Sequence, residues 1–319
     1  MDDEFPILPF RSSLYSPAEL FEGFEVADPT SYGRTIDFRT YRSTRLAAGR
    51  DIGMLRALHD QSMTEARNEF IATHRVVAIM GGHGMSRDDK AYSAVARLAW
   101  TLSSAGLVIV SGGGPGAMEA AHLGAVHARS SVAALDSAVA HLAGNEPRFP
   151  VDAAWVVGPG GDVSTEALAH LHAWQSPAFE VLEGLNPVDR APSLAVPTWF
   201  YGHEPPTPFA THIAKYFSNP LREDGLLAMG TDGVVYAPGS AGTLQEVFQD
   251  AAQNFYRTFD DRFSPMVFLD VEGHWSRRFP VAGILRELFG EDEFERWILT
   301  TGSGDDAASF LISLGGGEP

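Results

Sequence analysis

Val76-Val77-Ala78-Ile79-Met80-Gly81-Gly82-His83-Gly84 and, one helix later, Leu107-Val108-Ile109-Val110-Ser111-Gly112-Gly113-Gly114-Pro115-Gly116 decide the fold of this chain. Each stretch is a short, unbroken apolar run that ends in glycines. Such a run suits a strand covered on both faces, as in a parallel sheet. Between the two, Tyr92, Val95, Leu98, Ala99 and Leu102 recur at three- and four-residue steps, the inward stripe of a helix. Ser86 followed by Asp89 reads as the start of that helix, with the serine as N-cap, and Gly106 reads as its end. Pro115 suits the first turn of the helix after the second loop. Strand, glycine loop and helix, met twice, predict an α/β fold with a doubly wound, Rossmann-like parallel sheet.

Downstream, Gly233-Val234-Val235-Tyr236-Ala237 is a strand that runs into Pro238-Gly239-Ser240-Ala241-Gly242-Thr243. Leu244, Val247, Phe248, Ala251, Ala252 and Phe255 then share one face of a helix. Further strands are expected at 194–199, 265–269 and 297–300, and helices near 281–289 and 305–314. Residues 138–193 are broken up by Asn145-Glu146-Pro147, Gly158-Pro159-Gly160-Gly161 and Asn186-Pro187, and read as an insertion that is helical from Thr165 to Trp174. Upstream, 50–72 has a helical rhythm. Before it, Pro6, Pro9, Pro17 and Pro29 mark an arm packed on the body or on a partner, with Arg34, Arg39, Arg42 and Arg45 as a solvated face. The expected division is 1–72, an N-terminal arm and helix, and 73–319, a nucleotide-binding domain with its insertion. The tail Gly315-Gly316-Gly317 reads as frayed.

Composition narrows the function. The chain has 319 residues, 45% hydrophobic and 20% charged, enough apolar surface for a large core. Its net charge of −18 repels polyphosphate backbones and argues against nucleic acid. An anionic ligand must therefore be captured locally. Cysteine is absent, which excludes disulfides, thiolate metal sites and cysteine nucleophiles. No apolar run reaches about 18 residues. Met1-Asp2-Asp3-Glu4 is acidic where a signal peptide is basic, so a soluble cytoplasmic protein without membrane contact is expected. The two lysines, Lys90 and Lys215, form no Walker A loop and are few for Schiff-base chemistry. His122 and His127, or His170 and His172, lack the spacing of a helical zinc site, and no Gly-x-Ser-x-Gly elbow occurs. Neither metal nor cofactor is expected.

The chemistry is expected at the glycine loops 112–116 and 238–243. In an open parallel sheet such loops lie along the carboxyl edge, where ligands bind. Glycine lets the backbone approach a phosphate, and the first N–H groups of the following helix then point at it. Glu246 stands just beyond the second loop. Thr243-Leu244-Gln245-Glu246 also has the form of a capping box, which would occupy that acid structurally. Arg222, upstream, is a candidate phosphate clamp or a partner of Glu223 or Asp224. A competing pattern is present: Gly112, Gly114 and Ala117 satisfy G-x-G-x-x-G/A, and Asp136 follows at about the 20 residues expected of a ribose-binding acid. That reading, an NAD(P)-dependent oxidoreductase, leaves the second loop without a role.

Ser111-Gly112-Gly113-Gly114-Pro115-Gly116-Ala117-Met118-Glu119-Ala120-Ala121 resembles the first signature of the LOG family, and Pro238-Gly239-Ser240-Ala241-Gly242-Thr243-Leu244-Gln245-Glu246 resembles its second, P-G-G-x-G-T-x-x-E. These are phosphoribohydrolases once called lysine decarboxylases. The resemblance spans 75–136 and 194–314. It implies a dimeric Rossmann-like enzyme that cleaves the N-glycosidic bond of a nucleoside 5′-monophosphate to free base and ribose 5-phosphate. It also implies catalytic roles for Glu246 and Arg222, and binding roles for Gly112, Gly113, Gly114, Gly116, Met118, Pro238, Gly239, Ser240, Ala241, Gly242 and Thr243; Gly81 and Gly82, in the glycine loop after the first strand, are expected to bind beside them. Two departures stand out: Glu223 where the family has lysine, and Ser240 where it has its second glycine. If the peptide at 240 needs positive φ, serine reshapes the loop. A nucleotide-binding carrier or sensor without chemistry is the alternative from a different class.

Overall fold

Seven strands form one sheet in this computed structural model, which describes residues 5–46, 48–200, 204–258 and 262–314. They are β1 (Val76–Met80), β2 (Val108–Ser111), β3 (Ser193–Ala195), β4 (His212–Ile213), β5 (Val234–Tyr236), β6 (Met266–Leu269) and β7 (Ile298–Thr301). All neighbours run parallel, in the order β4-β3-β2-β1-β5-β6-β7. The chain lays β1 to β4 outward on one side, then returns to the other side of β1 with β5. The order reverses between β1 and β5, and an open parallel sheet leaves a crevice at such a point, on its carboxyl edge.

Helices cover both faces: α1 (Pro17–Leu20), α2 (Ile36–Thr44), α3 (Arg50–Ile71), α4 (Lys90–Ser104), α5 (Ala117–Val126), α6 (Val132–Gly144), α7 (Thr165–Glu183), α8 (Asn219–Met229), α9 (Ala241–Phe255), α10 (Ala282–Phe289), α11 (Glu291–Trp297) and α12 (Gly304–Leu314). Successive strand residues point to opposite faces and so feed two cores. Ala78, Val110, Leu194 and Tyr236 enter one, with Met63 of α3, Leu226 of α8, Val247 of α9 and Leu285 of α10. Val77, Ile79, Ile109 and Val235 enter the other, with Leu98 of α4, Ala121 of α5, Leu135 of α6 and Leu311 of α12. This is the doubly wound, Rossmann-like α/β architecture. None of the described helices is long and apolar enough to cross a membrane.

The segment before residue 73 packs on the body. Tyr15 exchanges backbone hydrogen bonds of 2.9 Å with Ile213, an antiparallel bridge that covers the edge strand β4. Tyr15, Phe38, Tyr41 and Met63 belong to the same core as the sheet. On α3, the Asp60 carboxylate accepts the N–H groups of Phe217 (2.8 Å) and Ser218 (2.7 Å), at the start of α8.

Several local expectations are corrected. The helix after β1 begins at Lys90, with Asp89 and not Ser86 at the N-cap; the Asp89 carboxylate accepts the Ser86 N–H at 2.7 Å. Pro115 precedes the N-cap of α5, Gly116, whose φ of +71 turns the chain before the helix begins at Ala117. The strand expected at 194–199 covers only Ser193–Ala195, since Pro197 has no N–H for a ladder. A boundary at 138 cuts α6, whose N-cap Ser131 accepts the Ala134 N–H at 3.2 Å, and α7 runs to Glu183 through Pro177. On α9 the buried side is Thr243, Val247, Asp250, Ala251 and Asn254, while Phe248 (42%) and Phe255 (50%) are exposed. The helix is rotated by polar anchors: Tyr236 Oη donates to Asp250 (2.6 Å), and the Ser264 N–H donates to Asn254 (2.7 Å). The glycine tail lies outside the described residues.

Candidate functional site

The loops after β1, β2 and β5 meet at the crevice because their strands are adjacent. Gly82 joins them: its N–H donates to the Pro238 carbonyl (3.1 Å), and its carbonyl accepts the Ala117 N–H (3.2 Å). Gly116 adopts φ +71, and a Cβ there would collide with the Gly82 carbonyl, so glycine is required on both counts. Gly113 (φ +72) lies against Ala195 of β3, and its carbonyl accepts the Thr207 N–H at 2.7 Å. Its own N–H donates to Ser111 Oγ (3.1 Å), which pairs with His122 Nε2 (3.0 Å), while His122 Nδ1 pairs with Ser193 Oγ (3.0 Å). Burial pushes the His122 pKa down to about 3, so this neutral ring is a structural strut between β2 and β3.

A cleft of about 950 Å³ opens over these loops. Of the residues expected at the site, Gly81, Gly82, Gly112, Gly114, Met118, Arg222, Ser240, Gly242, Thr243 and Glu246 line it. Pro238 and Gly239 line an adjoining hollow of about 530 Å³, shared with Ser240. Gly113, Gly116 and Ala241 line neither: the first two shape the turn, and Ala241 opens α9.

Ser240, not Thr243, holds the N-cap position of α9. Thr243 is then the third helical residue and Glu246 lies on the second turn, so the capping box does not form. Ser240 has φ −129, so the positive φ that would favour glycine is not required there. No hydrogen bond or ion pair holds the Glu246 carboxylate among the described residues. Burial pushes its pKa up to about 7; Arg222 pulls it down and Glu223 pushes it up. Arg222 stands on the first turn of α8, donates from Nε to the Val196 carbonyl (2.9 Å) and packs its guanidinium on Gly112. Its nearest acid contact is a loose one, Glu223 at 3.9 Å. The guanidinium thus lines the cleft, held by a backbone carbonyl and without a tight acidic partner.

Other wall residues were not legible in the sequence. Glu204 comes from the loop after β3, and its Oε2 lies 3.3 Å from where a Cβ on Gly114 would stand. Arg148, Phe149, Pro150, Val151 and Ala154 form a rim from the segment between α6 and α7, with Val151 92% exposed. The only signal available was local: an acid in a Pro-rich loop, and an arginine beside an aromatic in irregular chain. Neither shows which strand end it will reach.

Glu119 of the first signature turns away from the cleft. Arg87 grips it through two nitrogens (2.7 and 2.8 Å), and Tyr92 Oη donates to it at 2.9 Å. Asp136 lies on α6 and pairs with Arg97 on the surface (2.8 Å), so it cannot serve as the acid of a dinucleotide fingerprint. Lys215 is buried against Asp37 and Trp199, and Lys90 is exposed beside Glu272 (3.1 Å); neither lines the main cleft. His170 pairs with Asp152 and His172 with the Glu25 carbonyl. Among the described residues no group of three or more His, Asp or Glu gathers to hold a metal. No protein-family model matches the chain, and no curated protein does.

Proposed function

We propose that this chain is a hydrolase that splits the N-glycosidic bond of a nucleoside 5′-monophosphate, giving free base and ribose 5-phosphate, as the LOG family does. The observation that carries this reading is the convergence of two glycine loops on one cleft, beside an unbonded Glu246 and a cleft-facing Arg222. The second loop is the better seat for the phosphate. Gly242 and Thr243 present first-turn N–H groups that have no intrahelical acceptor, and the helix dipole adds about 0.3–1 kcal/mol for a nearby anion. At the first loop, by contrast, the Ala117 N–H is already bonded and Glu204 lies over Gly114. The Gly239 N–H is also taken, by His274 Nε2 at 3.2 Å.

In this arrangement Arg222 draws the phosphoribosyl group down, and the apolar rim at Phe149–Val151 receives the flat face of the base. Glu246 orients the attacking water and takes its proton, while its charge offsets the positive charge that develops on the ribose ring. A carboxyl poised near 7 suits a base working at neutral pH. A homodimer belongs to the same reading and is measured by sedimentation.

The deciding experiment incubates the protein with AMP, GMP, CMP, UMP and IMP and looks for free base and ribose 5-phosphate by chromatography. Base release from at least one is expected. Nucleotide bound without product points instead to a carrier or sensor, and binding of NAD alone sinks the proposal.

A further inference from the structure

We propose that Glu204 is a second catalytic carboxylate, which hands a proton to the departing base while Glu246 serves the attacking water. The role rests on the N-glycosidase reading. Glu204 reaches the cleft on the β2 side of β1, over Gly114, and Glu246 reaches it from α9 on the β5 side. Among the described residues no hydrogen bond holds Glu204; it makes a loose ion-pair contact with His83 Nδ1 at 3.9 Å.

Acids elsewhere in the interior are bonded: Glu119 by Arg87 and Tyr92, Asp60 by two backbone N–H groups, Asp250 by Tyr236. A partly buried carboxylate without a partner is destabilising, and the two in the cleft are the ones placed to meet a ligand. Burial raises the Glu204 pKa, against His83, Arg222 and Lys215, which lower it. Arg222 acts on both acids. The other charged groups of the cleft are Asp89, Arg148 and Glu223, and Lys215 is itself paired with Asp37.

The step balances. As the C1′–N bond breaks, its electron pair leaves with the base, and the Glu204 proton lands on a ring atom of that base so that it departs neutral. The water oxygen bonds to C1′ and gives its proton to the Glu246 carboxylate. Exchange with solvent then restores both acids.

The test compares wild type, Glu204→Gln and His83→Asn over pH 5–9. Substrates are a nucleoside 5′-monophosphate and a 4-nitrophenyl riboside 5′-phosphate, whose leaving group needs no proton. With Glu204→Gln, kcat on the nucleotide should fall about 10²–10⁴-fold, the usual worth of a positioned acid. KM should stay within a few-fold, the alkaline limb of the pH profile should vanish, and the nitrophenyl substrate should still turn over. Equal losses on both substrates, a change in KM alone, or an alkaline limb that persists in Glu204→Gln overturns the role. So does a limb lost only in His83→Asn, which would assign the proton to the histidine. A wild-type protein that releases no base from any nucleotide overturns the reaction and this role together, whereas an active wild type with an unaffected Glu204→Gln overturns the role alone.

Discussion

At the residue scale, Glu246 decides between chemistry and structure. Helix α9 begins at Ala241, so this acid caps nothing, and its exchange should cost the reaction and not the fold. In Glu246→Gln, base release should drop about 10²–10⁴-fold while the melting temperature at pH 8 holds or rises. The rise has a linkage reason: a carboxyl whose folded pKa is lifted to about 7 binds its proton more tightly folded than unfolded, so stability falls as pH climbs toward 7, and a neutral amide escapes that loss. In the wild type kcat/KM should rise with pH through about 7 as Glu246 ionises, and a rate profile flat across that range would remove the acid from the role of base. Gly116 is the other decisive residue. Gly116→Ala forces an L side chain into positive φ and against the Gly82 carbonyl. Urea unfolding should show a loss of about 1–3 kcal/mol, the usual cost of such backbone strain.

At the element scale, α9 shows how polar groups can override an apolar stripe. Asp250 enters the core because Tyr236 Oη reaches it, and burial pushes its pKa up to about 7, with Tyr236 pulling the other way. Between its unfolded value near 4 and about 7 the folded state holds the extra proton, so this group's contribution falls as pH rises. Asp250→Asn keeps an acceptor for Tyr236 and removes the titration. The variant should melt a few degrees above wild type at pH 8 and close to it at pH 4; a variant that loses stability equally at both would mean that the carboxylate is held ionised.

At the scale of the whole molecule, the segment before β1 is tied to the site. Asp60 of α3 accepts the two N–H groups that lead into α8, and α8 carries Arg222. Asp60→Ala leaves those donors without their acceptor, at a cost of about 1–3 kcal/mol, and frees the start of the helix. A lower melting temperature together with a raised KM for the nucleotide is expected. Loss of stability with KM unchanged would show that α8 keeps its position without this anchor. The bridge of Tyr15 to Ile213 has a separate consequence, since it covers the edge strand β4, which would otherwise offer unpaired backbone groups to another chain.

The sequence carries the sheet-and-helix plan. Unbroken apolar runs ending in glycine, such as 76–84 and 107–116, demand strands covered on both faces, and that information is local in the chain. It also marked both glycine loops, with Arg222 and Glu246 as the groups to watch. Short or polar elements stayed hidden: β4 has two residues, α8 opens on Asn219-Pro220, and the buried side of α9 includes Asp250 and Asn254. The assembled fold places β1 between β2 and β5, and hence joins the two loops in one crevice. It alone brought Glu204 and Arg148 to the same walls, from loops whose own residues carry no period or spacing. It also paired Glu119 with Arg87 inside the fold, and withdrew Asp136 by pairing it with Arg97 on the surface. The physical reason is that strand order and side-chain pairing are settled by contacts between residues far apart in the chain, whereas the tendency of a segment to form a strand or a glycine turn is settled within it.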